Sequence, residues 1–220
     1  MGFELDHLFV CVAPDAPEAD RLAAMGFCEG APNQHPGQGT ACRRFSFANA
    51  MIELMWVSDE AEVRNQRTGR TLLWERWSGS RSGRKGAASP FGICFRPDSS
   101  GDTRPPFPGW RYEPEYLPHP LAMHIGEADV QEPMWVFMDF LSRAHREERF
   151  RTHANGARES TGLTLWTPIT LRSAVSQKVL ESGILVARDG TDARLQIELD
   201  DNRRGEIIDL RPELPLVFAT

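Results

Sequence analysis

The chain has 220 residues, of which 40% are hydrophobic and 25% charged, and this composition is typical of a soluble globular protein. Its formal net charge of −6 argues against a nucleic-acid partner, and no apolar run is long enough to span a bilayer. No leader-like segment opens the sequence and the four cysteines lack C-x-x-C spacing, so we expect a protein of the reducing cytoplasm.

Residues 1–77 predict a β-α-β-β-β unit. The apolar run at 3–12 predicts a strand, and the apolar periodicity within 15–26 predicts a helix. Two alternating runs at 41–49 and 51–59 then predict a pair of strands joined by a tight hairpin turn.

A second, less regular copy of this unit is predicted over residues 89–150. Its first strand, 90–98, is followed by a Pro-rich stretch where the first copy has a helix, and three strand-like runs come next. The basic stretch 78–86 between the two copies is rich in Ser and Gly and contains no aromatic residue. We interpret it as a solvated loop rather than as a phosphate-binding patch.

A third β-α-β-β-β-like unit is predicted over residues 151–220. A strand at 161–168 precedes an amphipathic helix at 171–183, and three further strand-like runs complete the unit. Each unit needs a neighbour to bury the apolar face of its sheet, so the repetition indicates an α+β fold of packed units.

Two polar residues interrupt the apolar strands of the first unit: His7 in FELDHLFVCV and Glu53 in MIELMWV. Side chains alternate between the two faces of a strand, so His7 shares a face with Phe9, and Glu53 shares one with Met51 and Met55. Both polar residues therefore lie in apolar surroundings, as the floor of a binding cleft requires.

The carboxylate of Glu53 needs a partner if it is buried, because an unpaired buried charge costs several kcal/mol. A metal ion meets that need, and so does Arg43 or Arg44 from the adjacent predicted strand. For His7 considered alone, a hydrogen-bonded structural histidine is the simpler interpretation. The residues themselves leave these alternatives open.

A repeated β-α-β-β-β unit whose first strand carries LDHLFVCV and whose last strand carries IEL resembles the vicinal oxygen chelate superfamily, and within it the bacterial glyoxalase-like domain proteins. The resemblance implies that two units pair into a curved mixed sheet around a cleft. It also implies that residues on the first and last strand of each unit hold a divalent metal. On this basis His7 and Glu53 are the metal ligands of the first unit.

The second unit departs from the pattern of that superfamily. It has no ligand residue near Phe91 or Gly92, while Asp139 lies near the end of its last strand. The resemblance therefore implies a metal set of His7, Glu53 and Asp139, with His124 on the neighbouring strand as a substitute ligand.

By the same resemblance, the protein is a metal-dependent lyase, isomerase or dioxygenase that acts on a small oxygen-rich molecule, with Glu53 and His124 as catalytic residues. Imidazole and carboxylate ligands suit Fe, Mn, Zn or Ni, and open metal positions let a substrate chelate. The alternative is a metal-free protein that binds or sequesters a small hydrophobic compound on the same scaffold.

A homodimer formed through sheet edges is a further expectation. Six more residues are expected to line the cleft: Phe9, His35, Met51, Met55, Met123 and Met138.

Overall fold

Two β-sheets form the framework of the protein, with eight and five strands. The computed structural model describes residues 2–82 and 87–220, apart from the side chains of residues 147 and 148. The strands of the larger sheet are β1 Phe3–Cys11, β2 Asn33–His35, β3 Thr40–Ser46, β4 Met51–Val57, β5 Phe91–Pro97, β6 Gly109–Tyr112, β7 Met123–Gly126 and β8 Met134–Phe137. The strands of the smaller sheet are β9 Ser160–Thr167, β10 Val186–Asp189, β11 Arg194–Leu199, β12 Ile207–Asp209 and β13 Leu216–Ala219. The α-helices are α1 Glu18–Ala24, α2 Glu60–Val63, α3 Leu73–Ser80, α4 Arg143–Arg149 and α5 Ala174–Ser182.

The larger sheet consists of two halves with the same internal strand order. Its order is β2-β3-β4-β1-β5-β8-β7-β6, so β1 and β5 meet at the centre of the sheet. In each half the first strand pairs in parallel with the last, β1 with β4 and β5 with β8, while β1 and β5 are antiparallel. The α+β architecture of paired units in a curved mixed sheet is thereby confirmed.

Local sequence explains most element boundaries in these two halves. The helix predicted over 15–26 is shorter than expected, because Asp15 and Ala16 have φ values of 64° and 47° and α1 begins only after them. Gly26 follows the helix with a φ of 85°, which glycine adopts without strain. The Pro-rich chain between β5 and β6 contains no helix, as the sequence predicts.

Alternation along β1 separates two apolar clusters. Leu8 and Val10 pack into the main core on one side of the sheet, which continues into the smaller sheet through residues such as Leu195. Phe9 and Cys11 belong to a second cluster on the concave side. The sheet is therefore buried on both faces, and the concave face is the one that holds a cavity.

The smaller sheet has the order β10-β9-β11-β13-β12. Helix α5 connects β9 to β10, which are parallel neighbours; Ser173 caps its N-terminus and Gly183, with a φ of 75°, ends it. The predicted succession of strand, helix and strands is present, but the strand order differs from that of the first two units. Because the main core joins both sheets, the division of the chain at residue 150 stays a prediction.

Two further expectations concern the loop predicted at 78–86 and the lack of a membrane-spanning segment. Of the stretch 78–86 interpreted as a solvated loop, residues 78–80 belong to α3, and residues 83–86 lie outside the described residues. Among residues 2–82 and 87–220, none of the helices has the length and apolar character needed to cross a membrane.

Candidate functional site

The concave face of the larger sheet contains a cavity of about 210 Å³. Both halves of the sheet contribute to its wall, so the cavity lies where the two units meet. Eight of the residues predicted from the sequence line it: His7, Phe9, His35, Met51, Glu53, Met55, Met123 and Met138.

The structure does not bring His124 or Asp139 to the cavity. The Nε2 atom of His124 lies 2.9 Å from the carbonyl oxygen of Phe107, on the face of β7 opposite to Met123. Asp139 is exposed and follows Met138, whose side chain lines the cavity. Since neighbouring side chains in a strand point to opposite faces, His124 faces away from the site. Asp139 lies in the turn after β8 and does not line the cavity.

A side chain that blocks the ligand position explains why the second unit has no metal ligand on its first strand. Gly92 pairs in register with Phe9 across β1 and β5. A Cβ atom at residue 92 would lie 2.0 Å from Cε1 of Phe9, so the Phe9 ring occupies the space of any side chain there. The last strand of the same unit presents Met134 and Val136 to the cavity, which makes this half of the wall apolar.

A group of three possible metal ligands lies on the first half of the sheet, where His35 and Glu53 line the cavity and Cys42 is buried behind its wall. One ligand atom each from His35, Cys42 and Glu53 lies within 4.8 Å of the others, and all three residues are buried. The group joins β2, β3 and β4, which the hairpin register places side by side. Cys42 was missed from the sequence because its role depends on this register. His7 lies outside the group.

Glu53 forms no ion pair with an arginine or a lysine in the described part of the chain. Arg44 is its register partner on β3, but the guanidinium donates from Nε to the Ala31 carbonyl oxygen at 2.9 Å and forms no ion pair with Glu53. Arg43 points to the other side and pairs with Glu29 at 2.6 Å. Neither arginine alternative from the sequence is realised, so no arginine neutralises this buried carboxylate.

The neighbours of Glu53 are held in neutral forms by their surroundings. Burial lowers the pKa of His35, whose Nδ1 lies 2.9 Å from Thr40 Oγ1 and whose Nε2 lies 2.9 Å from Asn33 Nδ2. Burial, reinforced by the charge of Glu53, raises the pKa of Cys42. A neutral imidazole is the form that binds metal, whereas the thiol would release its proton on binding.

A second polar network surrounds Asp6, which is fully buried (0% exposed). Its carboxylate accepts from His7 Nδ1 at 2.6 Å, from Arg96 at 2.9 Å and from Arg146 at 2.9 Å. A β-bulge between Leu5 and His7 lets the adjacent side chains of Asp6 and His7 meet. Burial alone raises the pKa of Asp6, but the hydrogen bond and charge of His7, with the two arginines, hold it well below its ordinary value.

The depressed pKa of Asp6 predicts a stability loss in acid. The ordinary pKa of an aspartate carboxyl is 3.8. Below this pH the Asp6 side chain binds a proton in the unfolded chain but stays ionised in the native protein. This group should therefore lower the free energy of unfolding by up to about 1.4 kcal/mol for each pH unit below that value. Urea unfolding between about pH 5 and about pH 3 measures the slope. The slope should be shallower in Asp6→Asn, and equal slopes would contradict the assignment.

His7 connects the Asp6 network to the cavity. Its register partner on β5 is Cys94, and both side chains line the cavity. Burial alone lowers the pKa of His7, but a negative charge on Cys94, the hydrogen bond with Asp6 and the charge of Glu53 hold it well above its ordinary value. The sequence alone does not single out Cys94, because only the pairing of β1 with β5 places it opposite His7.

The charged side chains of the wall favour an anionic ligand. Among the described residues that line the cavity, the arginines are Arg44, Arg146 and Arg149, and the one carboxylate is Glu53. Arg146 forms an ion pair with Asp6, whereas Arg149 is exposed and Arg44 is half-buried. Arg44 and Arg149 thus offer positive charge to a ligand in the same cavity that has apolar side chains on its wall.

A curled mixed sheet made of paired units, with a cleft on its concave face, is the architecture of the vicinal oxygen chelate superfamily. The family model described as "Glyoxalase-like domain" matches residues 5–164, and the chain belongs to this family. A crystal structure of a hypothetical protein from Staphylococcus aureus is similar over 98% of this chain and 98% of that chain, with a TM-score of 0.56 and 12% sequence identity. That likeness shows the fold alone, and it extends over both sheets. None of the curated proteins matches the chain.

Proposed function

We propose that the protein is a metal-dependent enzyme of the glyoxalase-like class, of lyase, isomerase or dioxygenase type. Its substrate would be a small, negatively charged and partly apolar molecule bound in the concave cavity. The observation that carries this proposal is the buried Glu53 carboxylate, which forms no ion pair with an arginine or a lysine in residues 2–82 and 87–220 and lies within 4.8 Å of the ligand atoms of His35 and Cys42.

The donor set fits a divalent ion. An imidazole nitrogen, a thiolate and a carboxylate together suit zinc, iron or nickel, and a site with three protein ligands leaves positions open. A metal bound there would supply Lewis-acid polarisation of a substrate oxygen. The proposed ligands are therefore His35, Cys42 and Glu53, in place of the set of His7, Glu53 and Asp139 that the resemblance implies.

The rest of the cavity would orient the substrate. The guanidinium of Arg44, opposite Glu53 on the neighbouring strand, would pair with a negative group of the substrate. The apolar wall formed by Met134, Val136 and Met138 would cover its hydrocarbon part and exclude water.

Elemental analysis of untagged protein tests the metal site. We expect about one divalent ion per chain, after incubation with Mn, Fe, Ni and Zn salts and gel filtration, and a loss of at least tenfold in occupancy in Glu53→Gln and in Cys42→Ser. Cys11→Ser is the matched control, because Cys11 is also a buried thiol on the concave side but lies outside the group. Absence of metal from the wild-type protein under all four conditions would reject the proposed enzyme.

A second candidate function, metal-free binding of a small molecule, is favoured by the apolar second half of the cavity. Phe9 covers Gly92, and Met134 and Val136 occupy the facing strand, so this half presents packing surface rather than ligands. Retention of a bound compound in the presence of a chelator, together with an absence of metal, would support this function instead.

A further inference from the structure

A thiol, an imidazole and a carboxylate follow one another beside the cavity, apart from the group formed by His35, Cys42 and Glu53. Cys94 is the register partner of His7 on the adjacent strand, and His7 Nδ1 lies 2.6 Å from Oδ1 of the buried Asp6. Cys94 and His7 are 2% and 7% exposed, and both line the cavity. Neither the fold nor the proposed metal site requires this arrangement.

We propose that Cys94 is a nucleophile that forms a covalent bond with a small, negatively charged electrophile in the cavity. His7 is its general base and Asp6 is the positioning residue that holds the imidazole. Because Nδ1 of His7 is bonded to Asp6, Nε2 is the nitrogen that takes the thiol proton. Asp6 is itself held by Arg96 and Arg146, so the ring orientation is fixed by a rigid, fully buried group.

In the described part of the chain, none of the other three thiols lies beside an imidazole that a buried carboxylate orients; His35, which is close to Cys42, bonds Thr40 and Asn33 instead. Burial raises the pKa of Cys11 to about 12, which keeps its thiol protonated and inert. Cys42 faces the carboxylate of Glu53, whose negative charge opposes ionisation. Cys28 is half-buried, and its Sγ donates to the Glu29 carbonyl oxygen at 3.8 Å. Cys94 is therefore the thiol that the structure equips for attack.

The reaction needs no further reagent. With a conjugated unsaturated carboxylate or carbonyl compound, Sγ of Cys94 forms a bond to the β carbon while its proton passes to His7 Nε2. The electron pair of the carbon–carbon double bond moves to the α carbon, which takes the proton back from His7. Arg44, on the wall of the same cavity, supplies the positive charge that selects a negatively charged reactant.

Alkylation with iodoacetamide, followed by peptide mass spectrometry, compares the thiols within one molecule. In this probe reaction Sγ displaces iodide and the proton remains with His7 or leaves to solvent. We expect Cys94 to react at least about tenfold faster than Cys28 at neutral pH, although Cys28 is more exposed. Slower alkylation of Cys94 than of Cys28 would overturn the proposal. Chelator present throughout makes the result independent of metal content.

Variants separate the base from general effects on folding. His7→Gln should lower the Cys94 rate at least about tenfold, while His124→Gln, the same substitution on the opposite side of the sheet, should leave it unchanged. An unaltered rate in His7→Gln would overturn the role of His7. For Asp6, nitrogen NMR of the wild-type protein should show a proton on His7 Nδ1, and an unprotonated Nδ1 would overturn its positioning role.

The charge of the reactant is tested with iodoacetate, the negatively charged counterpart of iodoacetamide. The ratio of iodoacetate to iodoacetamide rates should be at least about threefold higher at Cys94 than at Cys28. Arg44→Gln should abolish that excess, so that the ratio at Cys94 falls to the ratio at Cys28. Equal ratios at the two thiols would overturn the preference for an anionic reactant.

Discussion

Replacing Asp6 with asparagine is expected to lower the free energy of unfolding by about 3–5 kcal/mol. The carboxylate is completely buried and forms hydrogen bonds with His7, Arg96 and Arg146, of which the two arginines are 1% and 2% exposed. Asparagine has nearly the same shape but brings an amide group toward these donors and removes the negative charge. The buried guanidinium groups would then lack the charge that offsets their desolvation.

Urea unfolding followed by circular dichroism measures this loss. Asp102→Asn is the matched control: it removes the same charge from the Asp102–Arg104 pair, where Arg104 is 87% exposed and water already screens the interaction. The control should unfold at the wild-type urea concentration. A loss below about 1 kcal/mol in Asp6→Asn would mean that the buried network contributes no more than a surface ion pair.

The two N-terminal units follow from local sequence, whereas the C-terminal sheet order does not. Alternation in β3 and β4 and a short turn between them already define a hairpin, because neighbouring strands joined by a tight turn pair with each other. In the C-terminal region, β11 lies between β9 and β13. That order depends on pairings between strands distant in sequence, which no local periodicity encodes.

In the candidate site, too, some residues can be predicted from the local sequence and others only from the pairing of distant strands. Alternation alone places His7 and Phe9 on one face of β1, and both line the cavity. It also places Met123 and its immediate neighbour His124 on opposite faces of β7, so both could not line the cleft. The prediction of Met123 as a cleft residue therefore already conflicted with that of His124 as a catalytic residue.

The two cysteines of the site required knowledge of strand register. Cys94 is significant only because β5 runs antiparallel to β1 and places it opposite His7. Cys42 is significant only because β3 lies between β2 and β4, which carry His35 and Glu53. Considered singly in the sequence, each thiol is an ordinary small residue in an apolar strand.

Replacing Glu132 with alanine is expected to lower the free energy of unfolding by about 3–5 kcal/mol. Glu132 precedes β8, is 5% exposed, and its Oε1 accepts from the backbone N–H groups of Arg172 and Ser173 at 2.8 and 3.1 Å. Its Oε2 accepts from the hydroxyls of Ser173, at 2.6 Å, and Ser176. One carboxylate thus holds the two residues that lead into α5 and the hydroxyl of Ser176 in its first turn, and it attaches the C-terminal sheet to the second unit.

Glu181→Ala is the matched control, because Glu181 lies on the same helix but is exposed and pairs only with Lys178 at the surface. Thermal and urea unfolding should show the large loss in Glu132→Ala, an intermediate loss in Glu132→Gln and little change in the control. The glutamine variant keeps one acceptor oxygen, so it retains part of the contact with α5. If the Glu132 and Glu181 variants lost equal stability, the junction would depend on the apolar core between the two sheets, since that core is unchanged in both variants.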